Sequence, residues 1–356
     1  MIGRSPHFLV SSTKHHLNLF AAVVGDTSKA RKGTAWDAVV EILVRVDASF
    51  EQRIHTGLSS GEGLIWKLRD PGGDDEGASD KRLLVLESEL ASVLRVTKRE
   101  GSTLSTTIRN AWDRGTLEIL TKNSPIRATN SHLSIVGHIT REELLRYLDR
   151  TEIANGFANR FLWVLARRSK VLPDPGRPEE ASIAGLVACI RSAFETAKDI
   201  TRFQRSGKAR ELWEAAYIKL SQARPGLFGA ITARAEAQVI RLSALYAALD
   251  CTAVIEEPHL QAALSLWDYS ARCLRCIFSH RIGDPVADEI LLALIERPDG
   301  MTRKAIRDLF ARNRSGSEIE RALRILEAAG AATCEMVQTA GRPAERWRAT
   351  EVSHTT

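Results

Sequence analysis

Gly25-Asp-Thr-Ser-Lys-Ala-Arg-Lys-Gly-Thr34 is the stretch on which the reading of this chain turns. It follows an apolar run at 19–24 that reads as a buried strand, and it precedes a helical pattern at 36–46. A strand-to-helix turn of this kind leaves backbone N–H groups free to face an anion. A phosphate loop also needs a lysine for the terminal phosphates and a hydroxyl for magnesium. Gly25, Lys32, Gly33 and Thr34 supply those parts, with Thr34 as the metal-side hydroxyl. The usual spelling places glycine before the lysine; here Arg31 precedes Lys32 and Gly33 follows it. The competing reading is a basic, glycine-containing turn that merely opens a helix.

Working outward, residues 82–86, 133–137 and 160–166 read as further strands, and 141–148 as a helix. Strands alternating with helices predict an α/β core with a parallel sheet covered on both faces. Asp70-Pro-Gly-Gly-Asp-Asp-Glu-Gly-Ala-Ser-Asp80 is acidic and glycine-rich and reads as a mobile surface loop. Residues 173–180 form a proline-punctuated linker. Beyond it, 181–280 reads as helical, with apolar spacing near 3.6 at 237–249 and 260–278. Gly283-Asp-Pro285 marks a second boundary. After it come helices at 286–295, 303–310 and 317–329, then β runs at 332–337 and 346–349. That order predicts a winged helix-turn-helix. The expected domains are 1–172, 181–280 and 284–350.

Composition narrows the function classes. No apolar run approaches the length of a membrane span, and the first residues lack a charged-then-apolar leader. A cytoplasmic protein is expected. The net charge of +6 and pI near 9.2 suit an anionic partner. Cys273 and Cys276 form a CxxC without a second pair, so the five cysteines read as reduced core thiols.

ATP hydrolysis requires an acid near magnesium and a cation for charge on the γ-phosphate. The strand at 82–86 ends in Glu87-Ser-Glu89, and Glu87 is the better candidate for the acid. His138 ends the strand at 133–137, where it would face the crevice at the carboxyl edge of a sheet; a sensor role follows, with Asn130 and His132 as weaker candidates. Arg160 stands before an apolar strand and suits an arginine finger reaching a neighbouring subunit, with Arg241 as alternative. Lys98-Arg99 and Ser102-Thr-Leu-Ser-Thr-Thr107 could touch a nucleic-acid backbone or form a solvated helix face. In the C-terminal segment, ten Lys/Arg stand against six Asp/Glu between Arg303 and Arg348. Arg342, Arg346 and Arg348 in the wing are better phosphate contacts than the mixed helix at 317–329, and a protein-docking module is the competing reading.

Arg31-Lys-Gly-Thr34 after an apolar strand resembles the variant phosphate loop of the primase-helicase, or bifunctional primase/polymerase-associated, proteins of plasmids, phages and mobile elements. Residues 57–65, 83–94, 102–113, 132–140, 155–164 and 234–250 continue the resemblance in order, over about 20–280. It implies a RecA-like P-loop ATPase related to hexameric helicases, using ATP and Mg2+ and acting on DNA, single-stranded or at a replication fork, as a homo-oligomer. It assigns Glu62, in Ser59-Ser-Gly-Glu-Gly63, the water-activating role, on the strand after the phosphate-loop helix, with Gly61 and Gly63 letting the backbone approach the nucleotide. It also implies a further segment before Gly3-Arg-Ser-Pro6, which a truncated frame or a separately encoded partner domain would explain. The alternative is a nucleotide-binding, DNA-binding regulator or adaptor with a degenerate site.

Overall fold

The computed structural model describes residues 1–25, 32–120, 125–167, 170–171, 173–174, 176–224, 226–278, 282–311, 313–338 and 343–350. The chain opens with β1 (His7–Val10), β2 (Thr13–His16) and β3 (Phe20–Gly25), then α1 (Lys32–Val46) and β4 (Ile54–His55). There follow α2 (Gly61–Trp66), β5 (Arg82–Glu87), α3 (Leu90–Thr97) and α4 (Leu104–Asp113), and the hairpin β6 (Leu117–Ile119) and β7 (Ile126–Ala128). Next come β8 (His132–Thr140), α5 (Arg141–Tyr147), α6 (Arg150–Ala154), β9 (Phe161–Ala166), α7 (Glu180–Asp199) and β10 (Arg202–Arg205). Then α8 (Gly207–Leu220), α9 (Gly226–Thr232), α10 (Ala235–Leu249), β11 (Val254–Ile255) and α11 (Glu257–Ile277). The last elements are α12 (Pro285–Ile295), β12 (Met301–Thr302), α13 (Arg303–Leu309), α14 (Gly316–Ala328), β13 (Ala332–Val337) and β14 (Ala344–Ala349).

The chain divides into two compact units, one of Met1–Gln222 with Ile231–Ile277, the other of Ala223–Ala230 with Phe278–Thr356. In the first, five strands form a parallel sheet in the order β4-β5-β8-β3-β9. β3 is interior, with β8 and β9 in register on its two sides. Its apolar run explains that place, since an interior parallel strand is covered on both faces. Phe20, Ala22 and Val24 share a face with Ile135, Ile139, Phe161 and Trp163, and all seven are buried. On β8, Gly137 seats α3 closely: a Cβ there would stand 2.7 Å from the Leu90 side chain.

The expected helical domain at 181–280 does not stand alone. α11 packs along β9, and α10 packs against α11 and the β1–β2 pair. Phe8, Leu162, Phe203, Val239 and Leu260 share one core. Strand character persists there too, because β10 joins β1 in parallel within a four-stranded sheet ordered β11-β10-β1-β2. The acidic loop is also tied down: Asp75 pairs with Arg69, and Asp70 accepts from Lys81 at 2.9 Å and from the Thr129 amide at 2.9 Å. Of the five cysteines only Cys273 is buried, against the expected core thiols.

The second unit has α12, α13 and α14 around Ile290, Ile306, Leu323 and Trp347. An antiparallel sheet ordered β12-β14-β13 closes it. Capping is regular: Asp284 accepts from the first amides of α12, and Ser315 with Glu318 forms a capping box on α14.

Candidate active site

The parallel sheet creates a switch point. From β3 the chain leaves through α1 toward the far edge strand β4, whereas the connection after β8 crosses to β9 on the other side of β3. Open α/β sheets bind ligands where connections diverge in this way, beyond the carboxyl ends of the strands. At that end β3 finishes at Gly25, level with Thr140 of β8 and Ala166 of β9.

Lys32 is the first residue of α1, and its Nζ donates to the Ile139 carbonyl at 3.2 Å, next to the end of β8. Burial holds its amine below the usual lysine range, and the charge of Glu143 opposes the shift. A Cβ added at Gly33 would meet nothing within 4 Å. Thr34 is exposed, and the first turn of α1 carries no acidic residue. The first turn of α1 therefore brings no carboxylate of its own to the positive end of the helix. Residues 26–31, which hold most of the sequence-predicted phosphate loop including Arg31, lie outside the described residues.

Glu87 closes β5, level with Gly137 on the neighbouring β8, and is 4% exposed. Its Oε1 accepts from the Gly57 amide at 2.8 Å and the Leu58 amide at 2.7 Å. A carboxylate that accepts main-chain amides is held firmly in place. Gly57 sits at φ +86°, a left-handed conformation that glycine adopts freely. The bonds from Glu87 thus anchor the segment that leads to Glu62. Glu89 by contrast is exposed.

Glu62 does not lie on a strand. It sits in the first turn of α2, after β4 and an intervening loop, and its Oε1 accepts from Thr103 Oγ1 at 2.9 Å. The Ser60 hydroxyl caps that helix through the Gly63 amide at 3.0 Å. Gly61 is small for a packing reason rather than for nucleotide approach. A Cβ there would stand 2.4 Å from Thr103 Oγ1 and 2.5 Å from Thr107 Oγ1, both on the α4 side. Thr103 and Thr107 thus pack against Gly61 at the α2–α4 contact, whereas Thr106 is exposed.

His138 lies in β8, paired in register with Val23 of β3. It is buried, and burial first, then the nearby Lys32 charge, hold its imidazole below the usual range. A neutral imidazole here offers one donor and one acceptor. Since Glu87 aligns with Gly137, His138 points to the opposite sheet face. Lys32 lies close enough to His138 for its charge to act on the imidazole, while Glu87 ends β5 toward the same carboxyl edge, on the opposite face from His138, with β5 two strand spacings, about 10 Å, from β3. Sequence reading missed Glu143. Its carboxylate accepts from Thr140 Oγ1 at 2.8 Å in a capping box, and its charge acts on Lys32. The T-x-x-E spacing at 140–143 carries that signal.

Four sequence-predicted candidates belong elsewhere. Arg160 is no finger at a subunit edge. It precedes β9, so it stands at the amino end of the sheet, roughly 17 Å, a strand length, from Ala166. It is 5% exposed, donates to the Gly156 carbonyl and pairs with Asp113 at 2.5 Å. Arg241, the alternative, is 2% exposed, donates to Asn18 and to the Trp112 carbonyl at 2.7 Å, and covers the Trp112 ring. His132 and Asn130 lie at the start of β8 and before it, also at the amino end; burial pushes the His132 imidazole well below 6.5.

In the second unit, the exposed charges of α14 are spent internally. Arg303 and Arg324 both bond Glu320, and Arg321 reaches Asp284 at 3.2 Å. Of the wing arginines, Arg348 pairs with Glu335 at 2.8 Å, and Arg342 lies outside the described residues.

No helix among the described residues is long and apolar enough to cross a membrane, and they hold no group of three or more His, Cys, Asp or Glu suited to a metal ion. Hydroxyl and carboxylate oxygens such as those of Thr34 and Glu87 are hard donors that suit Mg2+, which keeps waters and takes phosphate oxygens rather than a full protein cage. Compared with protein-family models and with curated proteins, the chain matches none.

Proposed function

We propose that the first unit is a RecA-like P-loop ATPase that moves or remodels DNA in a mobile element, and that residues 284–350 form a winged helix. The observation that carries this reading is that Lys32, Glu87 and His138, far apart in sequence, all lie toward the carboxyl, switch-point edge of one parallel sheet. The strand order supports it, as does the order along the chain: phosphate-loop strand, Glu62 after the next strand, Glu87 ending the third, His138 on the fourth.

Bound with Mg2+, ATP would supply the transferable γ-phosphoryl group and the metal that offsets its charge. Lys32 would give up the Ile139 carbonyl for phosphate oxygens, with Gly25 and Gly33 allowing backbone approach. Thr34 and Glu87 would hold the metal side, Glu87 already fixed by its two amide bonds. Glu62, steadied by Thr103 on one oxygen, would orient the attacking water and take its proton. His138, neutral and adjacent to the strand that carries Gly25, would report the phosphate state to β8. The assembly is a homo-oligomer, hexameric by the resemblance, and its partner is single-stranded DNA or a fork.

Lys32→Ala tests the reading: ATP turnover is lost while the thermal transition of the protein is kept. Unchanged turnover would sink it. One observation favours a second reading, a DNA-binding regulator whose site binds nucleotide without turnover: glycine follows Lys32 instead of preceding it. Tight ATP binding with no hydrolysis, alone and with single-stranded DNA, would select that reading.

A further inference from the structure

The opposite end of the same unit carries a second feature that the nucleotide site does not use. A polar groove of about 1170 Å³ opens at the amino ends of β5 and β8, between the first residues of the chain, β2 and the residues that follow α4. Its acids are already neutralised. Asp80 binds Arg82 at 2.8 Å, and Asp113 binds both Arg160 at 2.5 Å and Arg234 at 3.1 Å. Lys81 and Arg82 are paired as well, but three of its five cations are not. Among the described residues Arg4, Lys14 and Arg114 pair with no carboxylate, and Lys14 and Arg114 are exposed.

Arg4 is set in place rather than trailing in solvent. Its Nη1 donates to the Ser131 carbonyl at 2.8 Å, and its side chain lies flat on Gly115, where a Cβ would fall 2.2 Å from Nε. Burial lowers the Arg4 guanidinium to about 10, still charged at neutral pH. A guanidinium fixed against a glycine, without an acid, leaves unused donors aimed at a groove. The two imidazoles beside it, His7 and His16, lie tilted to each other with ring centroids 5.4 Å apart, and burial draws His16 to about 3, so it adds no charge there. Ser12, Thr13 and Thr116 supply hydroxyls along the walls.

We propose that this groove binds the phosphodiester backbone of a single nucleic-acid strand through Arg4, Lys14 and Arg114. Cations interleaved with hydroxyls are the chemistry of backbone contact, which positions a strand without reading its bases. The three cations come from three separate chain segments, and the volume exceeds the range of about 300–1,000 Å³ typical of small-ligand pockets. An extended polyanion fits that arrangement better than one small anion. The inference rests on the reading of the chain as a DNA-acting protein and names where in this unit the strand would lie.

The test is fluorescence anisotropy of a labelled single-stranded oligodeoxythymidylate with the full chain, over a salt series. The double variant Lys14→Glu/Arg114→Glu should weaken binding by at least about tenfold and flatten the log–log salt slope by about 0.7 for each phosphate no longer neutralised. Gly115→Ala, which displaces Arg4, should weaken it too, with the thermal transition monitored alongside. Lys304→Glu/Arg307→Glu in the second unit is the control for binding through α13. Affinity that survives the groove variants and falls with the control overturns the proposal. So does displacement of the strand by low-millimolar pyrophosphate at constant ionic strength, which assigns the groove to a small anion. Binding of a fluorescent ATP analogue is read on the same wild-type sample. Nucleotide bound and no strand bound overturns the groove and leaves the ATPase reading standing, whereas strand bound and no nucleotide does the reverse.

Discussion

Removing the carboxylate of Glu87 should separate structure from chemistry at one position. Glu87 Oε1 accepts two main-chain amides, Gly57 at 2.8 Å and Leu58 at 2.7 Å, from a side chain only 4% exposed. Hydrogen bonds to a charged group contribute about 1.5–3 kcal/mol each. Gly57 is exposed, so its amide can return to water; Leu58 is half-buried and cannot do so fully. Glu87→Ala should then cost about 2–4 kcal/mol, at the lower part of the pairwise sum. Glu87→Gln keeps an amide oxygen in the same place and should cost about 2 kcal/mol, roughly 1 for each of the two bonds that passes from a charged to a neutral acceptor. Both variants should lose magnesium-dependent ATP turnover, because neither presents a charged oxygen to the metal side. Urea unfolding followed by circular dichroism reads the first quantity, and a coupled phosphate-release assay reads the second. A Glu87→Ala protein as stable as wild type would refute the anchoring argument. Full turnover in Glu87→Gln would refute the catalytic one.

Further outcomes follow from packing and charge. Gly61→Ala forces a methyl against two threonine hydroxyls at 2.4 and 2.5 Å, so it should destabilise by about 1–3 kcal/mol and move Glu62, lowering turnover; a stable, fully active variant would show that α2 is not held against α4. Arg160→Ala should destabilise by about 1–3 kcal/mol, since Gly156 loses a buried donor while Asp113 keeps Arg234, and its subunits should not rescue a Lys32→Ala partner in mixing assays; wild-type stability without turnover would restore the finger. Burial depresses His15 to about 4 and His16 to about 3, and His132 lies well below 6.5. The unfolded chain binds their protons first, so stability is full above about 6.5 and falls as pH drops toward 3–4. Thermal melts at pH 7 and pH 5 check it, and equal transition temperatures would contradict the shifts.

The parallel core was legible because its strands are continuous apolar runs. Phe20–Gly25, Arg82–Glu87 and Phe161–Ala166 all fall within a residue or two of where the sequence puts them. β4 was not, since two residues, Ile54 and His55, carry no period. β10 was missed for a different reason: only Phe203 of its four residues is buried, and its partner is β1 at the other end of the sequence. Glu87 and His138 stand out at the carboxyl ends of strands, where chemistry in such sheets collects. Arg160 misleads because a residue beside a strand is not thereby at the functional edge. The direction of the strand, running from Phe161 to Ala166, decides which edge that is, and sequence adjacency alone does not.

The pairing of Phe8 with Phe203 spans 195 residues. During synthesis, at about 5–20 residues per second, the segment that completes the sheet is made roughly 10–40 s after β1 leaves the ribosome. Until then the Phe8 and Leu17 side chains have no α10 or β10 to cover them. Long-range pairing of that kind slows folding and lengthens the exposure of apolar surface. The first unit is therefore a body that closes late, and expressing residues 1–172 alone would strand its opening strands without partners.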